Sequence, residues 1–323
     1  MTLAAFPPSH PTHFHTSQFM SYNILLLFTV VLPFAALIQP TQSPDDWLTQ
    51  LESFRASREK QLRSPDGWLA VAGLHWLKDG SSTFGSGADC AIRLSDAAAP
   101  PLAGTLLLKN GSLSFSAASG VSLLKNSVPT PSGTLSLDDP APEADSSDRL
   151  QIGSVSLQYI RRAGRLAVRV RDSKAPRITE FPGERWFPPN AEWNLPARFI
   201  PANAGDELQI QNVRGQSLSQ PLAGIVEFEF AGQTYKLQAL ADTPETLFII
   251  FRDQTTGQQT WPGGRFLSIP TPAGNTFQLD FNRAYNPPCA YNPHTLCPLP
   301  PKTNTLPIAI PVGALRPQSD PRE

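Results

Sequence analysis

Histidine is scarce in this chain, and its scarcity excludes several kinds of active site. The sequence contains five histidines, three of which precede the main body of the chain: His10, His13 and His15. His75 and His294 remain, which is too few for a three-histidine zinc site, and no HExxH helix motif is present. We interpret His75 as a packing residue, whereas His294 is either a plain loop residue or a functional one.

Motifs of common enzymes and of nucleic-acid-binding proteins are also missing. Lys and Arg number 26 against 27 Asp and Glu, so there is no basic excess to neutralise nucleic-acid phosphates. No glycine-rich phosphate loop occurs, and the nearest approach to a Gly-x-Ser-x-Gly motif, GQSLS at Gly215, lacks its last glycine. We therefore expect no nucleic-acid partner, no metal and no cofactor.

Cysteine is nearly as rare, with three residues in the chain. Cys90 lies in an apolar, strand-like run and is interpreted as a small buried side chain. Cys289 and Cys297 enclose a short loop, and in an oxidising compartment a disulfide between them would constrain that loop by roughly 2–3 kcal/mol. The alternative is a reactive thiol near His294, because a thiolate nucleophile needs a basic neighbour.

One long apolar run, ILLLFTVVLPFAALI at Ile24 to Ile38, lies near the N-terminus. It is shorter than the roughly 20 residues that a membrane span needs, and it is typical of the apolar core of a signal peptide. Residues 1–43 are therefore predicted to be a leader and linker, with Met20 as an alternative start and export to the periplasm or cell envelope. An uncleaved membrane anchor and a cytoplasmic protein are the alternatives.

Proline, in contrast, is abundant, with 34 residues in 323. Because proline interrupts helices and central strands, we expect a β-rich chain with ordered, extended connections. One helix is predicted over residues 44–66, where Trp47, Leu48, Leu51 and Phe54 form a helical stripe. Beyond it, alternating apolar residues and Asn-Gly turn signals predict strands.

The predicted fold class is mostly β, with two lobes. Residues 67–172 are expected to form a β-sandwich lobe, and residues 173–313 a second β lobe that carries a long proline-rich loop, followed by a tail at 314–323. The strands Arg165–Asp172 and Thr246–Asp253 test this fold directly. In the first of them, apolar residues alternate with arginines, which predicts one apolar face and one basic face that is solvated or contacts acidic residues of the second lobe.

Six segments have an unusual composition: GWLAVAGLHWLKDG (67–80), FGSG (84–87), RLAVRVRD (165–172), ERWFPPN (184–190), FIIFRDQTTGQQTWPGGRFL (248–267) and DFNRAYNPPCAYNPHTLCPLPPKTN (280–304). Together they resemble the domain of unknown function 1684 family of bacteria and archaea. The resemblance brings no established activity. Members of that family tend to have Gly-Glu where this chain has Gly313-Ala314, which implies that one element of a family site is absent here if that glutamate belongs to it.

The order of strands and turns in residues 82–160 is also similar to that of a forkhead-associated β-sandwich. Such domains bind phosphothreonine with an Arg directly after a glycine and with a Ser/His pair further on. Ser86 stands where that Arg would be, and no matching Ser-x-x-His occurs. This resemblance implies a sandwich scaffold and gives no support to phosphopeptide binding.

The candidate site lies around residues 280–304, where prolines stiffen the backbone and a Tyr-Asn-Pro unit occurs twice. Asp280 and Asn282 lie two apart at a predicted strand end, so they face the same side. Asp280 and His294 are the catalytic candidates, and the ligand-binding candidates are Arg265, Asn282, Tyr285, Asn286, Arg252 and Asp253. A planar cation, an acid and amides beside an aromatic wall are groups that sugar and carboxylate sites use. The alternative is structural: an Arg–Asp pair that pins two segments, and a loop that seals the second lobe.

Two classes of function are compatible with these residues. The first is an exported enzyme, a hydrolase of a small polar or sugar-like substrate with Asp280 as acid, base or orienting group. The second is a non-catalytic envelope protein that binds a small ligand or a partner. An open polar pocket with a perturbed carboxylate favours the enzyme, and a filled site with an exposed apolar patch favours the binder.

Overall fold

The computed structural model describes residues 43–95, 98–138, 148–162 and 164–318. It is mostly β, with 45% strand and 15% helix, which confirms the predicted fold class. The predicted leader, apart from its last residue, and the end of the tail lie outside the described residues. Within the described ranges, no helix is long and apolar enough to cross a membrane.

The regular elements of the described residues are as follows. The helices are α1 (Pro44–Arg63) and α2 (Pro176–Glu180), and short 3-10 turns lie at Trp68–Ala70, Ala191–Trp193, Phe281–Arg283, Pro288–Ala290 and Lys302–Asn304. The strands, in chain order, are β1 (Val71–Trp76), β2 (Gly80–Gly85), β3 (Ile92–Arg93), β4 (Gly104–Lys109), β5 (Ser112–Ala117), β6 (Leu124–Lys125), β7 (Val128–Pro129), β8 (Ser132–Leu135), β9 (Arg149–Ile152), β10 (Val155–Arg162), β11 (Arg165–Asp172), β12 (Asn194–Pro201), β13 (Glu207–Gln211), β14 (Ser217–Phe230), β15 (Gln233–Thr243), β16 (Thr246–Phe251), β17 (Arg265–Pro270) and β18 (Thr276–Asp280).

Helix α1 forms where the apolar stripe predicts it. Ser43 caps its start, because its Oγ accepts a hydrogen bond from the Asp46 backbone N–H at 3.1 Å. Trp47 and Leu51 are buried, so this side of the helix packs against the rest of the protein. The helix ends at Arg63, slightly earlier than predicted, and Pro65 follows closely and restricts the residue before it.

Two sheets pack face to face as a sandwich. Their strand orders are β1-β11-β10-β9-β6-β7 and β3-β2-β4-β5-β8. Leu106 of β4 and Val168 of β11 belong to one apolar core between them. The hairpin between β4 and β5 turns at Asn110 and Gly111, both with positive φ, as the Asn-Gly signal predicts.

The later strands form a separate, seven-stranded sheet. Its order is β17-β16-β15-β14-β12-β18, with β13 paired to β14. The rings of Phe251 and Phe281 meet edge to face at 5.5 Å in the core of this sheet. The strands thus divide close to the predicted boundary at residue 172, although the two-lobe division itself stays a prediction.

The proline-rich loop, residues 284–301, begins just after β18 and is hydrogen-bonded to the sheet at both ends. Tyr285 exchanges two backbone hydrogen bonds with Phe266 of β17, each of 2.9 Å. Near the other end, the Leu299 backbone N–H donates to the Gln211 carbonyl of β13 at 2.7 Å. These bonds fix the loop as a wall, in agreement with its stiff sequence.

The basic face of β11 departs from expectation. Arg169 and Arg171 are only 8% and 7% exposed. Arg171 donates to Gln158 Oε1 at 2.8 Å, and the Arg169 guanidinium lies 5.3 Å from the ring centre of Trp68. The prediction of a solvated or acid-paired face is therefore wrong for these two arginines, because Arg169 packs beside Trp68 and Arg171 is buried against Gln158.

Candidate functional site

Asp280 and Asn282 hold neighbouring segments together. Asp280 Oδ2 accepts a hydrogen bond from the Trp47 indole N–H at 2.9 Å, and its Oδ1 accepts from the Asn282 backbone N–H at 3.0 Å and side-chain amide at 2.8 Å. The Asn282 amide in turn exchanges two hydrogen bonds of 2.9 Å with the Asn190 backbone. These groups join helix α1, the end of β18 and the segment before β12.

Arg265 pairs with Asp253 rather than with Asp280. The two side chains are fully buried, and Arg265 Nη2 lies 3.2 Å from Asp253 Oδ2. Arg265 also donates to the carbonyls of Ile310 and Val312, and burial lowers its pKa to about 10 despite Asp253. The pair therefore pins the C-terminal segment to the sheet, while Arg252 contributes backbone bonds and a buried Nε that has no partner.

A cavity of about 470 Å³, the large cavity, lies between helix α1 and the proline-rich loop. Its aromatic walls come from several elements: Phe54, Trp68, Phe248, Phe266, Tyr285 and Tyr291. Arg58, Asp242, Ser268 and Asn286 add a cation, an acid, a hydroxyl and an amide. This combination of apolar walls and a few polar groups is typical of small-molecule sites.

Arg58 is held in place on one side of the large cavity. Its guanidinium carbon lies 3.9 Å from the ring centre of Tyr285, and its Nη2 lies 3.9 Å from Glu184 Oε1. The Tyr285 hydroxyl is fixed by Ser268 at 2.9 Å, and burial raises the pKa of Tyr285. The Arg58 cation and the Tyr285 ring are therefore held in fixed positions in the cavity wall.

Glu184 and Tyr291 form a buried pair behind this wall. The Tyr291 hydroxyl donates to Glu184 Oε1, and the Glu184 side chain is 1% exposed. Glu184 Oε2 is buried without a hydrogen-bond partner. Burial raises the pKa of Glu184, with Arg58 opposing, and burial raises the pKa of Tyr291 further. Both residues line a second cavity, the side cavity, of about 210 Å³.

Asn286 lies in the walls of both the large cavity and the side cavity. Its side-chain nitrogen donates to the Leu315 carbonyl at 2.7 Å, which fixes the orientation of the amide. Its Oδ1 is buried and has no partner. An unsatisfied, buried acceptor is costly, which makes this oxygen an unusual feature of a residue that lines both cavities.

The second Tyr-Asn-Pro unit has a different role. Asn292 is fully buried, and its side-chain nitrogen donates to the carbonyls of Trp68 at 3.0 Å and Val71 at 2.6 Å. This asparagine therefore seals the loop onto the chain around the start of β1, as expected of a structural lid. The two repeats are not equivalent, since only Asn286 keeps an unpaired acceptor.

Cys289 and Cys297 are not joined by a disulfide in the structure. Cys297 Sγ accepts a hydrogen bond from the Cys289 backbone N–H at 3.0 Å, and it lies 3.8 Å from the Thr295 hydroxyl. The predicted disulfide is therefore absent from this structure. Burial raises the pKa of the Cys297 thiol strongly, which also disfavours the alternative of a thiolate nucleophile beside His294.

His294 is separated from the large cavity. It lines a third cavity of about 170 Å³, the basic cavity, together with Arg162 and Arg169. Burial lowers the pKa of His294, and the nearby Arg177 and Arg214 lower it further. The structure thus brings Tyr285 and Asn286 together at one cavity, places His294 at another, and uses the other predicted residues as internal ties.

Three residues of this region are not predicted as site residues by the sequence pattern: Arg58, Glu184 and Tyr291. Arg58 occurs among the charged residues of an amphipathic helix, where arginines are usually solvated. One signal was present, because Phe54 and Arg58 are four residues apart and share a helix face. Glu184 belongs to a segment without a clear period, so its burial depends on tertiary packing alone.

Several solved structures are similar to parts of this chain, but they give little information about its function. The uncharacterised protein from gene locus rrnAC0354 of Haloarcula marismortui, solved by NMR, is 30% identical over 42% of this chain and 78% of that chain, with a TM-score of 0.36. The FHA-2 domain of the Mycobacterium tuberculosis ABC transporter Rv1747 is 21% identical over 29% of this chain and 77% of its own, with a TM-score of 0.22. The FhaA FHA domain, solved with the intracellular domain of Rv3910, is 18% identical over 29% and 84%, with a TM-score of 0.20.

A comparison with protein families gives a match in the second half of the chain. The family is described as "Protein of unknown function (DUF1684)", and the match covers residues 179–314. These residues include β12 to β18, the proline-rich loop, Glu184, Asn286 and Tyr291. No curated protein matches the chain. The segments 184–190, 248–267 and 280–304 lie within this match, whereas 67–80, 84–87 and 165–172 lie outside it. The chain belongs to the DUF1684 family of proteins of unknown function.

Proposed function

We propose that the protein binds a small polar ligand of sugar-like chemistry in the large cavity. The observation that carries the proposal is Asn286, whose amide nitrogen is committed to Leu315 while its buried Oδ1 faces no donor. A hydroxyl group of a ligand supplies the missing donor. The aromatic walls give such a ligand apolar faces to pack against, and a few polar groups fix its orientation.

Arg58 supports the same proposal. Its contacts with Tyr285 and Glu184 restrict its rotamers, so little conformational entropy is lost when it binds a hydroxyl or carbonyl oxygen. Asp242 lies across the same cavity, is exposed, and accepts hydrogen bonds. A donor and an acceptor that face one cavity suit a ligand that carries several hydroxyl groups.

Isothermal titration calorimetry of the purified protein with glucose, galactose, mannose, N-acetylglucosamine and myo-inositol tests the proposal. We expect at least one to bind, and Arg58→Gln to weaken binding about tenfold, the loss of one hydrogen bond to a charged group. Lys60→Gln is the matched control, because it removes a positive charge from an exposed position of the same helix and should leave affinity unchanged.

Arg58→Gln also removes a neighbour of the buried Glu184 and can lower stability. Ser268→Trp is therefore a second variant, since Ser268 is an exposed residue in the cavity wall. A large side chain there fills the cavity and keeps the Arg58–Glu184 contact, although it removes the hydrogen bond to the Tyr285 hydroxyl. The proposal is wrong if no compound binds, or if binding survives Ser268→Trp unchanged.

Hydrolysis is a second candidate function, for a ligand that extends from the large cavity into the side cavity, because Glu184 lines the side cavity. A carboxyl group whose pKa is raised by burial keeps its proton at higher pH, as a general acid requires. Asp280, the acid predicted from the sequence, has its oxygens occupied by Trp47 and Asn282. Nitrophenyl glycosides of the same sugars test this function: turnover that Glu184→Gln abolishes supports it, and binding without turnover leaves a non-catalytic binder.

We further propose that the protein is exported. The support is the apolar run at residues 24–38, which is typical of a signal peptide. Cell fractionation and mass spectrometry of the N-terminus measure this directly. A protein in the envelope fraction that lacks its first residues agrees with export, and one in the cytoplasmic fraction that retains Met1 or Met20 contradicts it.

A further inference from the structure

Arg169 occupies an unusual position on β11. It is 8% exposed, and its Nε is buried without a hydrogen-bond partner. Within the described residues, the guanidinium contacts the ring of Trp68. Buried arginines are normally paired, because the desolvation of an unpaired charge costs several kcal/mol. The cation of Arg169 therefore lacks an internal counter-charge.

The side chains that line the cavity beside Arg169 include basic residues and no acids. The polar side chains that line the basic cavity are Arg162, Arg169, His294 and Thr295, without an aspartate or glutamate among them. Burial lowers the pKa of Arg169 to about 9, and the neighbouring Arg171 and Arg162 lower it in the same direction. A positive potential is thus concentrated in a partly dry space.

Asp138, the acid that acts on Arg169 from a distance, already has other partners. Asp138 opposes the fall in the pKa of Arg169, but its Oδ2 lies 3.1 Å from Arg162 Nη2 and accepts from Gln158 Nε2 at 3.2 Å. Arg162 is therefore neutralised, whereas Arg169 is not. Of the two arginines that line the basic cavity, Arg169 is therefore the one that keeps an uncompensated charge.

We propose that the basic cavity binds a small oxyanion, the carboxylate or phosphate group of a ligand, with the Arg169 guanidinium as its main partner. The planar guanidinium matches the two oxygens of such a group. His294, in the same wall, is a further donor. A volume of about 170 Å³ accommodates a single anionic group and is smaller than the usual site for a whole ligand.

The basic cavity adjoins the large cavity, since Trp68, Phe266 and Pro288 line both. A ligand that spans the two would carry an anionic group on a polar ring, as sugar acids and sugar phosphates do. This extension depends on the proposed function, whereas the oxyanion site itself depends only on Arg169 and its surroundings.

The test measures binding of inorganic phosphate and of acetate to the full protein in Tris chloride, with ionic strength held constant by potassium chloride. Thermal unfolding and calorimetry compare wild type with Arg169→Met. We expect wild type to be stabilised by at least one of the two anions and Arg169→Met to lose about tenfold or more in affinity. Phosphate alone, or acetate alone, identifies which oxyanion the site prefers.

Arg165→Met is the matched control. Arg165 lies on the same strand, is exposed, and contacts the Trp76 ring at 4.2 Å instead of a cavity, so this variant should respond to anions as wild type does. Without anions, Arg169→Met should melt no lower than wild type, because it removes a buried charge that has no partner. Arg169→Lys keeps the charge and should retain weaker binding.

The proposal is overturned if phosphate and acetate stabilise wild type and Arg169→Met equally, or if neither binds. It is also overturned if Arg169→Met melts lower while the anion effect is unchanged, which would make Arg169 a structural residue. Neutral sugars report separately on the large cavity, so a failure there leaves the oxyanion result intact.

Discussion

At the scale of single residues, the buried charged side chains of this protein differ in how well they are paired. Asp253 and Arg265 neutralise each other, and the Asp253 carboxylate also accepts hydrogen bonds from the Ile310 backbone N–H and the Thr255 hydroxyl. Glu184 and Arg169 are also buried, but Glu184 lies 3.9 Å from Arg58, and within the described residues Arg169 has no ion pair. The first pair fits a structural role, and the other two residues are the basis of the ligand sites that we propose.

Asp253→Asn should therefore be strongly destabilising. The change leaves Arg265 buried without a counter-charge, and we expect the free energy of unfolding to fall by about 3–5 kcal/mol. Urea denaturation measures it. Asp89→Asn, at an exposed position, is the control and should change stability little; an equal effect of the two substitutions would show that the ion pair is not structural.

The sequence predicts which polar residues are unusual, but it does not predict which residues they pair with. The sequence predicts Arg265 and Asp280 as members of one cluster, yet Arg265 pairs with Asp253 and Asp280 accepts from Trp47 and Asn282. Which acid meets which cation depends on how β16 and β17 align, and register between strands cannot be derived from composition. The burial of Arg169 has the same origin, since it depends on what covers β11.

At the scale of elements, helix α1 links structure and site. Its Trp47 anchors it to Asp280 at the end of β18, and three turns later Arg58 reaches the large cavity. The amphipathic stripe predicts the helix and its buried face, because local periodicity carries that information. The side of the helix that faces the large cavity mixes apolar and polar residues, Phe54, Arg58, Gln61 and Leu62, and the stripe does not predict this role.

Asp280→Asn tests this anchor. One oxygen of the new amide can still accept from Asn282, but its nitrogen then faces the Trp47 indole N–H, so two donors meet. We expect the free energy of unfolding to fall by about 1–3 kcal/mol and sugar or phosphate affinity to stay unchanged in the folded protein. Calorimetry of the folded variant distinguishes the two roles of Asp280. Unchanged stability together with lost binding would show that Asp280 belongs to the ligand site.

At the scale of the whole molecule, two sandwich sheets and a curled third sheet support one region around the proline-rich loop. The mostly β fold is predicted well because alternation, proline content and Asn-Gly turns are local signals. The cavities are not predicted, because they arise where helix α1, the start of β1, β17 and the loop meet. Family membership adds no activity, so function has to be measured on this region itself.

The measurement that tests the central claim most directly is a titration of the ¹⁵N-labelled protein with the sugars named above, observed through the tryptophan indole N–H signals. Trp68 lines the large cavity, whereas Trp193 is 4% exposed in the core of the third sheet, and Trp68→Phe assigns the first signal. A ligand in the large cavity is expected to shift the Trp68 signal and leave that of Trp193 in place. If no sugar shifts Trp68, or if a sugar binds while only other tryptophans respond, the large cavity is not the ligand site.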